Sequence, residues 1–276
     1  MKQIDNKSTV HSRAEYKDWF KKAFRDDYLL LYSHHDDAEA TANIKLAINH
    51  VPFSEGHSIL DIACGTGRHL QAFAQLGAEV TGIDISDTML MQARRRFDKV
   101  QLPVQLAKHD MRNLPFNEQF DGVTMWFTSF GYFENADQDR LVLDNIYKVL
   151  KSDGWWWIDL VNPQFLTNSL VPRTERKIKG PNGKASVKEK RYIVGDRVEK
   201  MIEITDDEGK RKYTESVRLY EPESFSQLLM ACGLVPEGVL GDYDGSALAP
   251  TTPRQIWYGR KQVLPTERAH AVFLAD

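Results

Sequence analysis

The run Asp61-Ile62-Ala63-Cys64-Gly65-Thr66-Gly67-Arg68-His69 joins a short apolar strand to a glycine-bearing turn and then to a helix start. Glycine lets a backbone approach a ligand closely, and the first turn of a helix presents N–H groups without partners inside the helix. Two more acids stand at strand ends: Asp84 closes Val80-Thr81-Gly82-Ile83-Asp84, and Asp110 opens Asp110-Met111 after a third strand. Acids gathered on the carboxyl edge of one sheet can receive an ammonium group, a vicinal diol and an exocyclic amine. That edge is where open α/β sheets bind ligands. Ile85 and Met89, just beyond Asp84, can flank a flat ring.

Two ligand classes use such a turn, dinucleotides and S-adenosylmethionine. The dinucleotide fingerprint needs G-x-G-x-x-G. Counting from Gly65 and Gly67 reaches Leu70; counting from Ala63 and Gly65 reaches Arg68, a long cation where close helix–strand packing needs no side chain. The fingerprint fails in both registers, which sets aside a nicotinamide oxidoreductase. The second ligand fits better: Asp61 takes its ammonium directly or through water, Asp84 both ribose hydroxyls, Ile85 and Met89 the adenine ring, and Asp110 with Met111 the adenine edge. Cys64 reads as a small packing residue. Arg68 and His69 read equally as partners of a ligand carboxylate or as a surface pair in the first helical turn.

The elements that position these residues alternate regularly from residue 57. Strands are expected at 57–63, 79–83, 104–107, 120–127 and 154–161, with helices at 67–76, from Ser86 onward and at 138–150. Gly77 ends the first of these helices and Ser86 caps the second. Five β-α alternations argue for a parallel sheet with helices on both faces. Ahead of them, Tyr16, Trp19, Phe20, Phe24 and Tyr28 share a helical face within 13–32, and a second helix is expected over 37–50, ending before Pro52. After Pro163 the helical period disappears. Strands near 187–194, 198–205 and 212–220, turned at Gly195-Asp196 and Asp206–Gly209, read as an antiparallel meander with 14 Lys/Arg against 10 Asp/Glu over 171–221. Such a surplus reads as a solvated sheet face. Pro222 and Gly233 bracket a further helix, and 234–240 and 254–260 are closing strands.

The fold class expected is therefore α/β: a Rossmann-like sheet of about seven mostly parallel strands, with an N-terminal helical lid and an inserted antiparallel meander. The organisation expected is a lid over 1–52, a ligand-binding core over 53–170, a substrate-cover insert over 171–221, completion of the core over 222–261 and a tail over 262–276. Composition limits the rest. Lys+Arg 36 against Asp+Glu 39 gives a net charge of −3, which argues against a general polyanion binder. Two cysteines build neither a disulfide framework nor a cysteine-rich zinc site, and the eight histidines fall in no metal-ligand spacing, so no metal is expected. No apolar run approaches a membrane span; Trp155-Trp156-Trp157-Ile158 stops at Asp159. The polar N-terminus has no apolar core of a signal peptide, so a cytoplasmic protein is expected. The N-terminal aromatics and residues 262–276 are compatible with a homodimer.

LDIACGTGRH, VTGIDIS, AKHDMRNLPF, FDGVTMWFTSFGYFEN and LKSDGWWWIDLVN, taken together from Ser58 to Val161, resemble the class I S-adenosylmethionine-dependent methyltransferases. FTSFGYFE, RLYEPE and GDYDGS…TPRQI extend the resemblance over roughly 28–261 to a bacterial subgroup of small-molecule methyltransferases. The family's first motif glycine is Ala63 here. Arg68, as a partner of the ligand carboxylate, is counted with the cofactor-binding candidates; the resemblance implies that Asp61, Ala63, Gly65 and Gly67 border the methionine part of the cofactor. It implies Asp84 on the ribose, Ile85 and Met89 on the adenine, Asp110 and Met111 at the adenine edge, and Trp126 and Phe127 on the pocket floor.

Methyl transfer from a sulfonium is an in-line displacement, so the protein supplies alignment and exclusion of water, and a base only where the nucleophile arrives protonated. Substrate contacts are expected from Tyr28, Tyr32, His34 and His35 of the lid, and from Ser129, Phe130, Tyr132 and Glu134 after the fourth strand. Others are Asn162, Arg218 and Tyr220, and Asp242, Asp244, Ser246 and Arg254. Tyr132, Glu134 and Asp244 are the catalytic candidates, with Glu134 or Asp244 as base, and Tyr16 or Trp19 could cap the sulfonium. The acceptor expected is an N or O nucleophile of a small molecule. Alternatives are an RNA or tRNA methyltransferase and a non-catalytic cofactor-binding protein. Amino-methylating nucleic-acid enzymes carry (N/D)-P-P-(Y/F) after the fourth strand, where this chain reads Phe127-Thr128-Ser129-Phe130; Asn162-Pro163-Gln164-Phe165 lacks the second proline.

Overall fold

The computed structural model describes residues 18–24, 26–32, 36–180 and 183–262. Among these described residues, three helices precede the first strand: α1 (Phe20–Ala23), α2 (Asp26–Leu31) and α3 (Asp37–Ile48). The core then alternates through β1 (Ser58–Ile62), α4 (Arg68–Gln75), β2 (Glu79–Asp84), α5 (Asp87–Val100), β3 (Gln105–Lys108), β4 (Phe120–Met125), α6 (Ala136–Val149) and β5 (Leu150–Val161). After α7 (Pro163–Ser169) come β6 (Arg173–Gly180), β7 (Gly183–Val194), β8 (Arg197–Asp206) and β9 (Gly209–Arg218). The chain returns to the core with α8 (Pro222–Ala231), β10 (Leu234–Leu240) and β11 (Arg254–Lys261).

The core sheet has seven strands in the order β10-β11-β5-β4-β1-β2-β3. β3 through β5 run parallel, whereas β11 pairs antiparallel with both β5 and β10. The late strand reversed between β5 and β10 departs from the dinucleotide-fold order 3-2-1-4-5-6, in agreement with the failed fingerprint. Period-2 alternation drives each strand's residues to opposite faces. Thus Trp155 and Trp157 pack with α3 and α4 residues such as Ile44, Leu70 and Phe73, while Trp156 and Ile158 pack with Leu143, Ile146 and Phe225 of α6 and α8. All three tryptophans are core.

The antiparallel insert forms its own four-stranded sheet, β6-β7-β8-β9. The sequence signals three of these strands; β6, RTERKIKG, is an edge strand whose charged composition hides it. Also unforeseen was α7, although Asn162 caps it through Gln164 N–H and proline stands in its first turn. The aromatic stretch expected as one helix is two: α1 ends at Phe24, whose φ −85° and ψ 70° leave the helical region. Residues 13–17, including Tyr16, together with His34, His35 and the tail from 263, lie outside the described residues.

The lid docks on the insert. Leu31 is buried against Ala185, Val187, Ile202 and Ile204. Arg211 reaches Asp27 at 2.8 and 3.1 Å, the Tyr213 hydroxyl also donates to Asp27, and Arg176 donates to the Leu31 carbonyl at 3.1 Å. A second set of bonds joins insert to core: Arg197 donates to the carbonyls of Gly131 and Phe133, and the Arg218 N–H donates to the Gly131 carbonyl at 2.8 Å. The loop after β4 is thereby held by the insert.

Candidate active site

A cavity of about 700 Å³ opens above the carboxyl ends of β1, β2 and β4. Of the expected cofactor residues, it brings together Asp61, Ala63, Gly65, Arg68, Asp84, Ile85, Met89, Asp110, Met111, Trp126 and Phe127. Gly67 lies just behind the wall as the residue capping α4, with φ +74°. A Cβ there would come within 3.2 Å of Ala93 on α5. Both the left-handed backbone and the close helix approach favour glycine. Gly65 differs: its φ is +54°, and a Cβ would meet no atom within 4 Å. The space beside it is open on the cavity side, as a backbone cradle for a ligand requires.

Asp61 is buried, and its Oδ1 accepts from the Thr124 hydroxyl at 2.9 Å. Desolvation pushes its carboxyl up to about 8, with Thr124 opposing and nearby Asp84 adding to the rise. A buried carboxylate so little compensated fits a ligand ammonium. Asp84 accepts from Gly65 N–H at 2.9 Å and from Ser86 N–H at 2.8 Å. It therefore ties the glycine turn to the start of α5; burial still raises its carboxyl, with the backbone donors opposing. Each carboxylate oxygen carries two lone-pair positions, so acceptor capacity remains for a diol. Asp110 sits at the rim in a bidentate pair with Arg112, Nε at 3.0 Å and Nη2 at 2.6 Å, and its carboxyl lies below the ordinary range although partial burial opposes this. Its pairing with Arg112 leaves Asp110 a weaker ligand-binding group than Asp61 or Asp84.

His69 stacks on Trp126 with ring centroids 4.3 Å apart and planes 4° from parallel. The buried Trp126 Nε1 has no hydrogen-bond partner among the described residues, leaving an indole donor on this wall. A second aromatic group comes from the lid and the segment after β4. Phe24 and Tyr132 stack at 5.9 Å, Trp19 meets Tyr132 edge-on at 4.9 Å, and Tyr28 lies 4.4 Å from Tyr32. The Ser86 hydroxyl donates to the Phe24 carbonyl at 2.5 Å, which brings the lid over the end of β2.

Tyr28, Tyr32, Tyr132 and Ser129 reach the cavity wall. Several other expected substrate residues do not, because the fold uses them elsewhere. Phe130 is buried between Tyr220 and Phe225. Arg218 and Tyr220 both bind buried Asp139, at 2.5 and 2.8 Å, and Arg218 also donates to the Glu134 carbonyl. Arg254 binds buried Asp159, and Asp242 accepts from Tyr243 N–H. The Asn162 amide holds the carbonyls of Ala249 and Thr252. The two candidate bases also lie off the wall. Asp244 is exposed and accepts from Ser246 N–H; Glu134 is exposed. Residues the sequence reading missed include Phe24 and Thr124 on or beside the wall, and Lys200 and Glu215, which bond Tyr32 from the insert. Thr124 alternates like an ordinary strand residue, and the Lys200–Tyr32 contact spans 168 positions, so neither carries a local signal.

Among the described residues, no cluster of three or more His, Cys, Asp or Glu could hold a metal, and no helix is long and apolar enough to cross a membrane. Residues 59–154 match the methyltransferase domain model. A dTDP-4-amino-2,3,4,6-tetradeoxy-D-glucose N,N-dimethyltransferase of Saccharopolyspora spinosa is 30% identical over 224 residues, 76% of this chain and 84% of the relative. A dTDP-3-amino-3,4,6-trideoxy-alpha-D-glucopyranose N,N-dimethyltransferase of Streptomyces venezuelae is 26% identical, covering 78% of this chain and 90% of its own. A crystal structure of an S-adenosylmethionine-dependent methyltransferase from Clostridium acetobutylicum superposes with a TM-score of 0.72 at 19% identity, over 85% of this chain and 96% of that one. With the failed dinucleotide fingerprint, the reversed late strand and the acid-lined cavity, these likenesses lead to one conclusion: the chain belongs to the class I S-adenosylmethionine-dependent methyltransferases of bacterial small-molecule type.

Proposed function

We propose that the acceptor is the amine nitrogen of a polar small molecule of the aminodeoxy-sugar class, presented as a sugar nucleotide. The observation that carries this reading is the character of the acceptor wall: Tyr28, Tyr32, Tyr132 and Ser129 offer hydroxyls and aromatic faces. Burial raises all three phenols, with nearby carboxylates adding to it, so they stay protonated at neutral pH. Neutral hydroxyls can accept from an amine N–H and leave the nitrogen lone pair free, whereas a carboxylate at the same place would hold the amine as an unreactive ammonium. Aromatic faces also favour a cationic centre, both the sulfonium and a methylated ammonium product. Two relatives covered over most of their length methylate aminodeoxy sugars carried on dTDP, which supports the same substrate class.

The cofactor supplies a methyl group already activated on sulfonium sulfur. In our reading, Asp61 holds the cofactor ammonium, Asp84 the ribose diol, and Ile85, Met89 and Met111 the adenine, while Trp126 and Phe127 close the floor. The lid and insert exclude water, and the tyrosines align the amine for in-line attack. Glu215, the carboxylate that Tyr32 bonds, is paired with Lys200 and is not among the residues lining the cavity, so in our reading alignment rather than a dedicated base is the chain's contribution. In the test, purified protein and S-adenosylmethionine are incubated with dTDP-linked aminodeoxy sugars, their hydroxyl counterparts and tRNA, and products are read by mass spectrometry. The reading expects one and then two methyl additions on the amino sugars alone. Methylation confined to hydroxyl sugars or to tRNA overturns it.

A further inference from the structure

Two consecutive residues at the end of β4 hold a backbone conformation that L side chains rarely adopt: Phe127 at φ 51° and Thr128 at φ 61°. One is bulky and the other β-branched, the types least suited to the left-handed region, so the surroundings must over-determine the turn. They do so through one carboxylate. Asp159, fully buried on β5, accepts from Phe127 N–H at 2.8 Å, and its own carbonyl accepts from Thr128 N–H at 3.0 Å. Two residues from distant chain then lock Asp159. Arg254 at the start of β11 donates from Nε to Asp159 at 2.5 Å and from Nη2 to the Thr128 hydroxyl at 2.9 Å. The Tyr243 hydroxyl donates to the other Asp159 oxygen at 2.6 Å. The Tyr243 ring continues toward the cavity wall, 5.6 Å from Phe127 and 6.3 Å from Trp126.

The cofactor acids stand at the ends of β1 and β2 and after β3, so the segment after β4, whose Phe127 closes the floor in our reading, is where the cofactor and acceptor sides of the cavity meet. Phe127, Ser129 and Tyr132 of the post-β4 segment all line it. We propose that Asp159, Arg254 and Tyr243 form a positioning unit that holds the strained Phe127–Thr128 turn, and through it the acceptor-side floor of the cavity. Arg254 and Tyr243, from the GDYDGS…TPRQI stretch, thus act on the reaction through Asp159 rather than by touching substrate. The carboxylate is paired and hydrogen-bonded on both oxygens, so the cluster is satisfied internally and rigid.

The test uses variants that keep the fold. Tyr243→Phe removes one hydroxyl and retains the ring; Thr128→Gly removes the strained side chain, and glycine takes this φ freely. Protein carrying 5-fluorotryptophan is examined by fluorine NMR, with the Trp126 line assigned by Trp126→Phe. In both variants the Trp126 line is expected to shift or split while those of the remaining tryptophans hold. Cofactor affinity by calorimetry is expected to change by less than about three-fold, and Thr128→Gly is expected to melt no lower than the parent. With a dTDP-linked amino sugar as acceptor, kcat/KM is expected to fall about ten-fold or more, the scale of one hydrogen bond to a charged group. An unmoved Trp126 line in both variants overturns the proposal. So does a loss of cofactor affinity as large as the loss of turnover, because the cluster would then brace the whole site. The fluorine and calorimetric readouts need no acceptor, so a wrong acceptor class fails separately from a wrong positioning unit.

Discussion

The two halves of the cavity are built differently. In our reading the residues that hold the cofactor lie within a few positions of a strand end: Asp61 stands one residue before the end of β1, Asp84 closes β2, and the Gly65 N–H that Asp84 binds is only 19 positions away. On the acceptor half, Tyr132 lies on a loop held by Arg197 from 64–66 positions downstream, and Asp27 of the lid is bound by Arg211 from 184 positions away. The first half follows from a local pattern that any open α/β sheet can reproduce. The second exists only once lid, insert and late loop have docked, largely through arginine. A cofactor half set by local pattern and an acceptor half set by docked elements would let one fold keep its chemistry while its acceptor changes.

The comparison breaks most sharply at Asp84. Asp84→Ala removes two backbone hydrogen bonds to a carboxylate that join the glycine turn to α5, besides any bond to ligand. Cofactor affinity is expected to fall roughly 100-fold or more, two charge-assisted bonds at about 1.5–3 kcal/mol each giving at least that. Titration calorimetry checks it. An affinity within a few-fold of the parent would mean that the glycine turn stands without Asp84. Asp27→Asn probes the other half. It weakens the Arg211 and Tyr213 ties that hold the lid to the insert. Hydrogen exchange is expected to quicken over 26–32 and not over β1, β2 or β4, with the acceptor KM rising about ten-fold, the worth of one charge-assisted bond. Equal quickening in the core strands would deny the division.

The same division decided what could be read in advance. All seven core strands follow patterns plain in the sequence, and Asp61, Gly65, Asp84, Ile85 and Met89 all reach the cavity, because strand-end placement is a local property. Tyr28 and Tyr32 also reach it, from the aromatic N-terminal segment, as does Tyr132, from its place after the fourth strand. Arg218, Tyr220 and Arg254 do not. A charged or phenolic side chain in a loop or at a strand end looks the same whether it meets a substrate or a buried acid, and Asp139 and Asp159 gave no sign of being those acids. Their partners lie 79 and 95 positions away, and only the packed fold brings them together. The β6 strand was hidden for a related reason: an edge strand needs no apolar alternation to pair.

A pH experiment sharpens the contrast at smaller scale. Burial lifts the Asp61 carboxyl to about 8, against about 3.9 in an unfolded chain. Between these values the folded protein binds more protons than the unfolded one, so stability of the cofactor-free protein is expected to fall as pH rises from about 4 to 8. At this chain length roughly 2–4 °C accompanies each kcal/mol, so the melting temperature should drop by several degrees across that window. Asp61→Asn should remove its share of the slope. In our reading the cofactor ammonium pairs with the ionised carboxylate, so binding near pH 7 should release a proton. Calorimetry in buffers of different ionisation heat detects that release. Equal slopes for the parent and Asp61→Asn would show that Asp61 titrates normally, and that the cofactor half is not held ready by a buried acid.

The mildest change is expected at Ala63, the position where the family usually has glycine. Its φ is +57°, so the chain keeps the left-handed turn while carrying a methyl group on it. A Cβ in this region costs roughly 1–2 kcal/mol, and glycine would relieve it. Glycine also frees the unfolded chain, which offsets about 0.4–1 kcal/mol of that gain. Ala63→Gly is therefore expected to leave the melting temperature level or slightly higher and cofactor affinity unchanged within about two-fold, since Gly65, not Ala63, provides the open approach beside the cavity. A large loss of affinity would show that the Ala63 methyl itself packs on the cofactor. The cofactor half would then also depend on a particular side chain, rather than on backbone and acids alone.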